Sequence, residues 1–596
     1  MIRNSLFKEG IEMKTVLQST KNIILLCSLI IGFQVSAEKI TEVENLVKDK
    51  VLTESLEMGD THVYNLKLDA GQYVFGDAVQ ITVDLKVSIY KPDGEQLVSF
   101  DGPARGSETF QFNSTDAGIY QIKITPFQEE EGDYSIKIIR IEAIAKTPAG
   151  KVDQLMSAYT DKTPGVVIGV VRDGKLDFVR SYGLANIEYD IPNTRTTPFH
   201  MASVSKQFTA FAIVMLAQDG KLSLDEEIHK YLPELPKFEH KVTVRHLLNH
   251  TSGIRDHWTL WQMSGGRMDD VIRQEDLLRL LHRQQELNFK PGKQYMYSNS
   301  GYLLLSEIVS SVSGEKFGDW MQKNVFKPLN MNSTQIYDDH ERIVKNRAYS
   351  YHYSNAGIAK SVLSYANSGA TSLFSTVEDL ALWLNNFKTG KIGGIKTIEE
   401  LQVQGMLNNG ETIRYALGIG VDEENGLRKL SHGGADAGYR SYLSYYPEID
   451  SGIILLSNIA TFSGGLISQD IATAFFSEKM TFESQEGQAT MQENSTQSNE
   501  KAEKWIPNLN ELKLYEGRYY SKELDTFYTV YLDDEKLLLK HTRHGDISLT
   551  EKDKGYFQSS VGFMHRLYFS RSEKGDINQF RVSNGRVRNL VFNKMD

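Results

Sequence analysis

Three short stretches of this 596-residue chain hold side chains suited to acyl transfer. In His200-Met201-Ala202-Ser203-Val204-Ser205-Lys206 a hydroxyl and an amine stand three residues apart, so both fall on one face where a helix begins. A serine is a weak nucleophile at neutral pH unless a nearby base takes its proton, and a lysine kept uncharged by burial and by a positive helix N-terminus is such a base. Gln207 to Gln218 is apolar almost all round and is followed by Gly220, which predicts a helix buried at the centre of its domain. The Ser-x-x-Lys spacing recurs at Ser5, Ser36, Ser88, Ser313 and Ser498, but in a presequence and its cleavage site, a strand, a glycine-broken helix end and a polar linker. None of those provides a buried helix start. Without its companions, Ser203 reads equally well as a helix cap.

Tyr297-Ser298-Asn299 follows Pro291-Gly292 and precedes an apolar helix starting near Gly301. A phenol beside a lysine relays protons, and the Asn299 amide offers a donor and an acceptor to an amide-like substrate. Tyr353-Ser354-Asn355 and Tyr365-Ala366-Asn367 repeat the shape, but only the first copy immediately precedes a long apolar helix. In the third stretch, His432-Gly433-Gly434-Ala435 enters the strand Arg440 to Tyr446. Glycines let a substrate lie against a strand edge, the N–H groups of Ala435 and Ser203 would form an oxyanion hole, and His432 would face the nucleophile. Taken singly, these stretches also fit a core aromatic, a cap and an ordinary turn. Lys388-Thr389-Gly390, a rival third element, ends the helical segment Val377 to Phe387 and reads as a C-cap.

Bringing positions 203, 297 and 432 together requires a scaffold, and residues 146–477 supply both periodicities. Val166 to Val171 and Leu176 to Val179 form a hairpin near the beginning, Arg440 to Tyr446 and Gly452 to Ser457 are strands near the end, and helical segments lie between. A sheet made from the two ends of a unit, with helices inserted, is an α+β layout. Residues 38–145 alternate with period two (Tyr64, Leu66, Leu68; Leu85, Val87, Ile89; Tyr120, Ile122, Ile124; Tyr134, Ile136, Ile138), which predicts an N-terminal β-sandwich. With Gly71-Gln72-Tyr73-Val74, that rhythm resembles the pre-peptidase sandwich attached to bacterial secreted hydrolases. Residues 478–505 read as a flexible linker. Residues 506–596 read as a small β-barrel, in which Phe580 to Ser583 would meet Arg586 to Phe592 across an Asn584-Gly585 hairpin turn.

In residues 1–37, Lys14 and Lys21 precede the apolar run Ile23 to Phe33 and the small-residue end Val35-Ser36-Ala37, the pattern of an export signal. The expectation is a periplasmic or extracellular protein with no stable membrane span after cleavage. Cys27, the only cysteine, falls inside this run, so each domain must rely on its apolar core and not on disulfides. With 66 Lys and Arg against 77 Asp and Glu, a net charge of −11 and no basic block, nucleic acid is excluded as a partner.

Taken in order, the three stretches resemble the serine β-lactamase and penicillin-binding family, whose pattern is Ser-x-x-Lys, Tyr-x-Asn and then Lys- or His-x-Gly. The resemblance covers Lys151 to Phe476, and the segments Thr243 to Gly253 and Ser375 to Leu380 are similar to stretches of the class C branch. It implies an antiparallel sheet flanked by helices with a helical subdomain. Ser203 would be the nucleophile, Lys206 and Tyr297 would manage its proton, and Asn299, His432, Gly434 and Ala435 would hold the substrate, with neither cofactor nor metal.

His-Gly-Gly in place of Lys-Thr-Gly removes a fixed positive charge and a hydroxyl. That directs the resemblance away from antibiotic hydrolysis and toward D-amino-acid peptidases, carboxypeptidase or aminopeptidase, and related esterases, some of which carry a C-terminal β-barrel. The substrate would be a small molecule or peptide, with peptidoglycan-derived peptides among the candidates. Alternatives are a true β-lactamase and a penicillin-binding or sensing protein with little turnover. A metal site built on His246 and His250, four apart on one helix, lacks the adjoining glutamate of a zinc protease.

Overall fold

The computed structural model describes residues 39–482, 505 and 507–595, except 103, 105, 128 and 129. The expected export signal with Cys27, and residues 483–504 of the expected linker, lie outside the described residues.

The strand Val166–Arg172 is apolar at consecutive positions because both of its faces are covered. Val167 and Val171 join the core formed with the helices Ser205–Gln218 and Val377–Thr389. Val166, Ile168 and Val170 join a second core with the helices Pro148–Leu155 and Gly464–Phe476. At Gly169 a Cβ would stand 2.4 Å from Val377 Cγ1, so glycine lets the helix lie close on the sheet. The strand is second in a six-stranded antiparallel sheet, in the order Lys175–Tyr182, Val166–Arg172, Ser451–Ser457, Tyr439–Tyr446, Leu427–Asp436, Gly420–Glu424. Both ends of the central unit therefore meet in one sheet, as the sequence predicts, and the helical segments between them bring in Tyr297 and Asn299.

The flanking units are all β. Two sheets of five and four strands enclose a core that holds Tyr64, Leu66, Val87, Ile122, Tyr134 and Ile136. This sandwich meets the central unit through Tyr73, whose hydroxyl donates to Gln154 O at 2.7 Å. The C-terminal unit is a closed eight-stranded barrel filled by Tyr519, Tyr528, Leu539, Phe557, Phe580 and Phe592. No helix among the described residues is long and apolar enough to cross a membrane.

Three local expectations are corrected. The helix expected near Gly301 begins at Asn299. The helix holding His246, Val244–Leu248, stops before His250, whose φ of +58° breaks it, so the two histidines do not share a helical face. The Asn584-Gly585 hairpin turn does not form: Val582 pairs with Leu590, and the six residues after Ser583 make a loop between the strands Ile577–Ser583 and Leu590–Lys594. The Asn584 side chain closes that loop on itself by accepting from the N–H groups of Arg586 and Val587, both at 2.8 Å, while Val587 is buried.

The loop matters because the barrel docks beside it. Arg255, fully buried in the central unit, pairs with barrel Glu523 at 2.5 Å and donates to Arg588 O at 3.0 Å. Tyr528 donates to Met263 O, and Arg543 pairs with Asp270. Removing one partner of a buried pair strands the other charge, so Arg255→Ala is expected to lower unfolding stability by about 3–5 kcal/mol and to detach the barrel. Arg255→Met combined with Glu523→Leu should recover most of that loss. Denaturant unfolding with Trp505, which packs on barrel Phe557, as probe checks this; a loss below ~0.5 kcal/mol in Arg255→Ala would show that the pair does not hold the barrel.

Candidate active site

Ser203 lies in a tight 3-10 turn, Ala202–Val204, immediately before the helix Ser205–Gln218. Ala202 has φ +46°, a left-handed conformation that costs a side-chain-bearing residue about 1–2 kcal/mol and that the surrounding packing must hold. Ala202 N–H donates to His200 Nδ1 at 3.2 Å, and the strand Leu427–Asp436 presses on the turn. A Cβ at Gly434 would fall 2.3 Å from Met201 O and 2.4 Å from Ser441 Oγ. These glycines are expected to admit a substrate, but at Gly434 the constraint comes first from the turn that carries Ser203. Ala435 is next on the strand and lines the same cleft as Ser203.

Lys206 lies on the first turn of the helix and is fully buried. Its Nζ has three hydrogen-bond partners: Ser203 Oγ at 3.2 Å, Asn299 Oδ1 at 2.9 Å and Ala370 O at 2.8 Å. Two of these are amide oxygens that can only accept. A neutral amine gives its two hydrogens to them and turns its lone pair to Ser203, so the third line carries the serine proton. Burial lowers the Lys206 pKa to about 7, opposed by the charges of Asp436 and Asp256 and assisted by Arg586. A substantial fraction is therefore uncharged at neutral pH.

The second stretch arrives through Asp256. Its Oδ2 accepts from both N–H and Nδ2 of Asn299 at 2.8 Å, and its Oδ1 accepts from Trp258 N and Thr259 N, capping the helix His257–Met263. Those bonds fix the Asn299 amide with its oxygen on Lys206, which leaves one amide hydrogen for a substrate. Tyr297 lies on the His250 ring at 4.2 Å between centroids, with Lys206 Nζ 4.9 Å from its own. Burial raises the Tyr297 phenol well above its usual value, while a hydrogen bond with Ser203 and the charge of Arg586 oppose the rise. The phenol is therefore protonated at neutral pH and suited to relaying a proton.

The other tyrosine copies are placed elsewhere. Tyr365 bonds Asp436, and Tyr353 lies on the separate hairpin Ser350–Ser354 and Gly357–Ser361. Lys388-Thr389-Gly390 ends the helix Val377–Thr389, with Gly390 at φ +54°.

The cleft, of about 610 Å³, is lined by Ser203, Tyr297, Asn299, His432, Gly434 and Ala435 together with Trp258, Thr371, Asp436 and Arg586. All six lining residues taken from the sequence thus meet in one place, over the buried Lys206. His432 contributes a wall and no charge: burial lowers its pKa to about 4, Nδ1 is 2.7 Å from Gly433 O and Nε2 is 3.0 Å from the Tyr415 hydroxyl. Nδ1 donates to the carbonyl, so Nε2 accepts from the phenol, and both nitrogens are occupied. His246 caps its own helix and His250 supports Tyr297 while accepting from Ser298 N, so neither is set for metal.

Sequence reasoning missed Asp256, Thr371, Asp436 and Arg586. For Asp256 a signal existed, an N-cap aspartate ahead of Trp258 and Leu260. Gly434→Ala is expected to reduce Ser203 acylation at least about a hundredfold by moving the nucleophile turn. Gly433→Ala, where the new Cβ meets the Tyr442 ring at an ordinary 3.5 Å, should cost less than about tenfold. Stopped-flow acylation of both variants checks this, and equal losses would remove the packing argument.

The family model described as Beta-lactamase matches residues 152–474. Among curated proteins, penicillin-binding protein 4* of Bacillus subtilis (strain 168) is 31% identical over 308 residues, covering 48% of this chain and 66% of that protein. D-aminopeptidase of Gluconobacter oxydans (strain 621H) is 26% identical over 296 residues, covering 50% and 56%. The chain spans about half to two thirds of the length of the curated relatives it matches. Among solved structures, the octameric penicillin-binding protein homologue from Pyrococcus abyssi aligns with a TM-score of 0.49 at 23% identity, covering 75% of this chain and 99% of that one. The family match takes in all six strands of the central sheet and the helix behind Ser203, more than half of the sequence, and on that extent the chain belongs to the beta-lactamase family.

Proposed function

We propose that this protein is a serine hydrolase that cleaves amide or ester bonds through an acyl-enzyme on Ser203, using its own side chains for every proton transfer. The observation that carries the proposal is the 3.2 Å line from Ser203 Oγ to a buried Lys206 amine whose other hydrogens are held by Asn299 and Ala370. Ser203 Oγ attacks the carbonyl carbon as its proton passes to Lys206 Nζ. Charge on the carbonyl oxygen is met by the backbone N–H groups of Ser203 and Ala435. As the tetrahedral intermediate collapses, the bond to the leaving group breaks, and the proton returns to that group through the Tyr297 hydroxyl. Water then attacks the ester, gives up its proton along the same path, and frees the acid and Ser203.

Within this chemistry the preferred substrate is a D-amino-acid peptide or amide, or a related ester. Two features support that choice: the relatives named D-aminopeptidase, and the neutral His432 where a true class C β-lactamase has lysine. The pattern from Lys14 and Lys21 through Ile23 to Phe33 and Ala37 supports action outside the cytoplasm, in the periplasm or the medium.

Ser203→Ala is expected to abolish hydrolysis of a chromogenic ester and of D-alanyl amides while leaving the melting temperature within a few degrees of the parent. Undiminished turnover in that variant rejects the proposal. Tyr297→Phe should cost at least about a hundredfold in kcat, and Tyr365→Phe much less; equal losses would assign the relay to the wrong tyrosine. A burst of one product per enzyme followed by no turnover on any substrate would point instead to a penicillin-binding or sensing protein.

A further inference from the structure

His432 gives the cleft no charge, and the sheet guanidinium at the cleft, Arg440, is held by the carbonyls of Ala437 and Tyr439 through Nη1 and feels the charge of Asp436. A second cation comes from the barrel. Arg586 lies in the loop after Ser583, the one that replaces the expected tight turn, and it lines the cleft beside Ser203. Its guanidinium sits over the Tyr297 ring, 5.2 Å from the centroid.

The backbone of that loop is clamped from both units. Asn288 Nδ2 donates to Arg586 O at 2.9 Å, Asp256 N donates to the same oxygen at 3.4 Å, and Asn288 Oδ1 accepts from Arg588 N at 2.8 Å. The Arg586 side chain remains 47% exposed. Its nearest anion is Asp256 Oδ2 at 3.9 Å, yet that carboxylate already accepts four N–H groups, from Asn299 twice, Trp258 and Thr259. A fixed backbone, an exposed planar fork and an anion with its lone pairs taken make a guanidinium prepared for a ligand from the cleft.

We propose that Arg586 is the specificity residue of this cleft, a guanidinium lent by the barrel that binds a carboxylate of the substrate, so that acyl donors bearing one are preferred to neutral counterparts. The inference rests on the Ser203 hydrolase reading and adds the substrate class to it: acidic peptides or esters whose carboxylate reaches Arg586 while the scissile carbonyl lies at Ser203. The carboxylate can belong to the acyl part or to the leaving group, and the test separates them.

Four aryl esters are needed, carrying a carboxylate on the acyl part or on the leaving ring, each with a carboxamide twin. The reading is the acid-to-amide ratio of kcat/KM, with the Ser203 adduct followed by mass in the same samples. The parent enzyme is expected to favour the acid about ten- to hundredfold in one of the two placements, which then identifies the side. Arg586→Gln should bring that ratio close to one, Arg586→Lys should keep part of it, and Arg586→Glu should invert it. A ratio near one in the parent for both placements, or one unchanged in Arg586→Gln, overturns the assignment while leaving the hydrolase reading intact. Absence of both turnover and any Ser203 adduct with all four esters rejects both.

Discussion

The structure depends on keeping one lysine amine out of water. Lys206 lies on a helix buried on all sides, beneath the sheet formed by the two ends of the central unit. Gly418, at φ +76°, lets its loop approach until a Cβ there would stand 2.6 Å from Lys206 O. An amine so enclosed cannot hold a full charge cheaply, and when neutral it can give its two hydrogens to the two carbonyl-type acceptors and keep its lone pair for Ser203. The same packing that stabilises the domain thus lowers the pKa of the amine that the proposed Ser203 mechanism needs as its base.

Around that centre the other parts are positioning devices. Ala202 takes a left-handed conformation to set Ser203 at the head of the helix, and Gly434 allows the neighbouring strand to press on that turn. Asp256 does two jobs with one carboxylate, capping a short helix and fixing the Asn299 amide so that its oxygen meets Lys206. His250, buried and neutral, supports the Tyr297 ring from below. Apart from Ala202, each supporting group lies far from Ser203 in sequence, so the site exists only after the sheet has closed.

What was legible in the sequence follows from this division. Ser203 and Lys206 could be read because three-residue spacing on a helix puts two side chains together locally, and the apolar run after them marked that helix as buried. Tyr297 and Asn299 could be read because they stand at a helix entry, and the period-two runs located both β units. Arg586 was hidden, since Asn-Gly between alternating residues has a strong local preference for a two-residue turn; here the Asn584 side chain and the burial of Val587 override it to build a loop. The ties from Asp256 to Asn299 and from Arg255 to Glu523 were hidden for a different reason: a polar side chain whose partner is a tertiary neighbour leaves no period in the sequence.

The barrel is accordingly more than an appendage: through the Arg255 and Glu523 pair and the loop carrying Arg586 it completes one wall of the cleft. All of this chemistry still turns on the protonation of a single nitrogen. The most direct measurement is a pH titration of the 13Cε resonance of Lys206, assigned by its loss in Lys206→Arg. The expected midpoint is near 7. A midpoint at the ordinary lysine value of about 10.4 would leave the amine charged at neutral pH and would contradict its role as the base for Ser203.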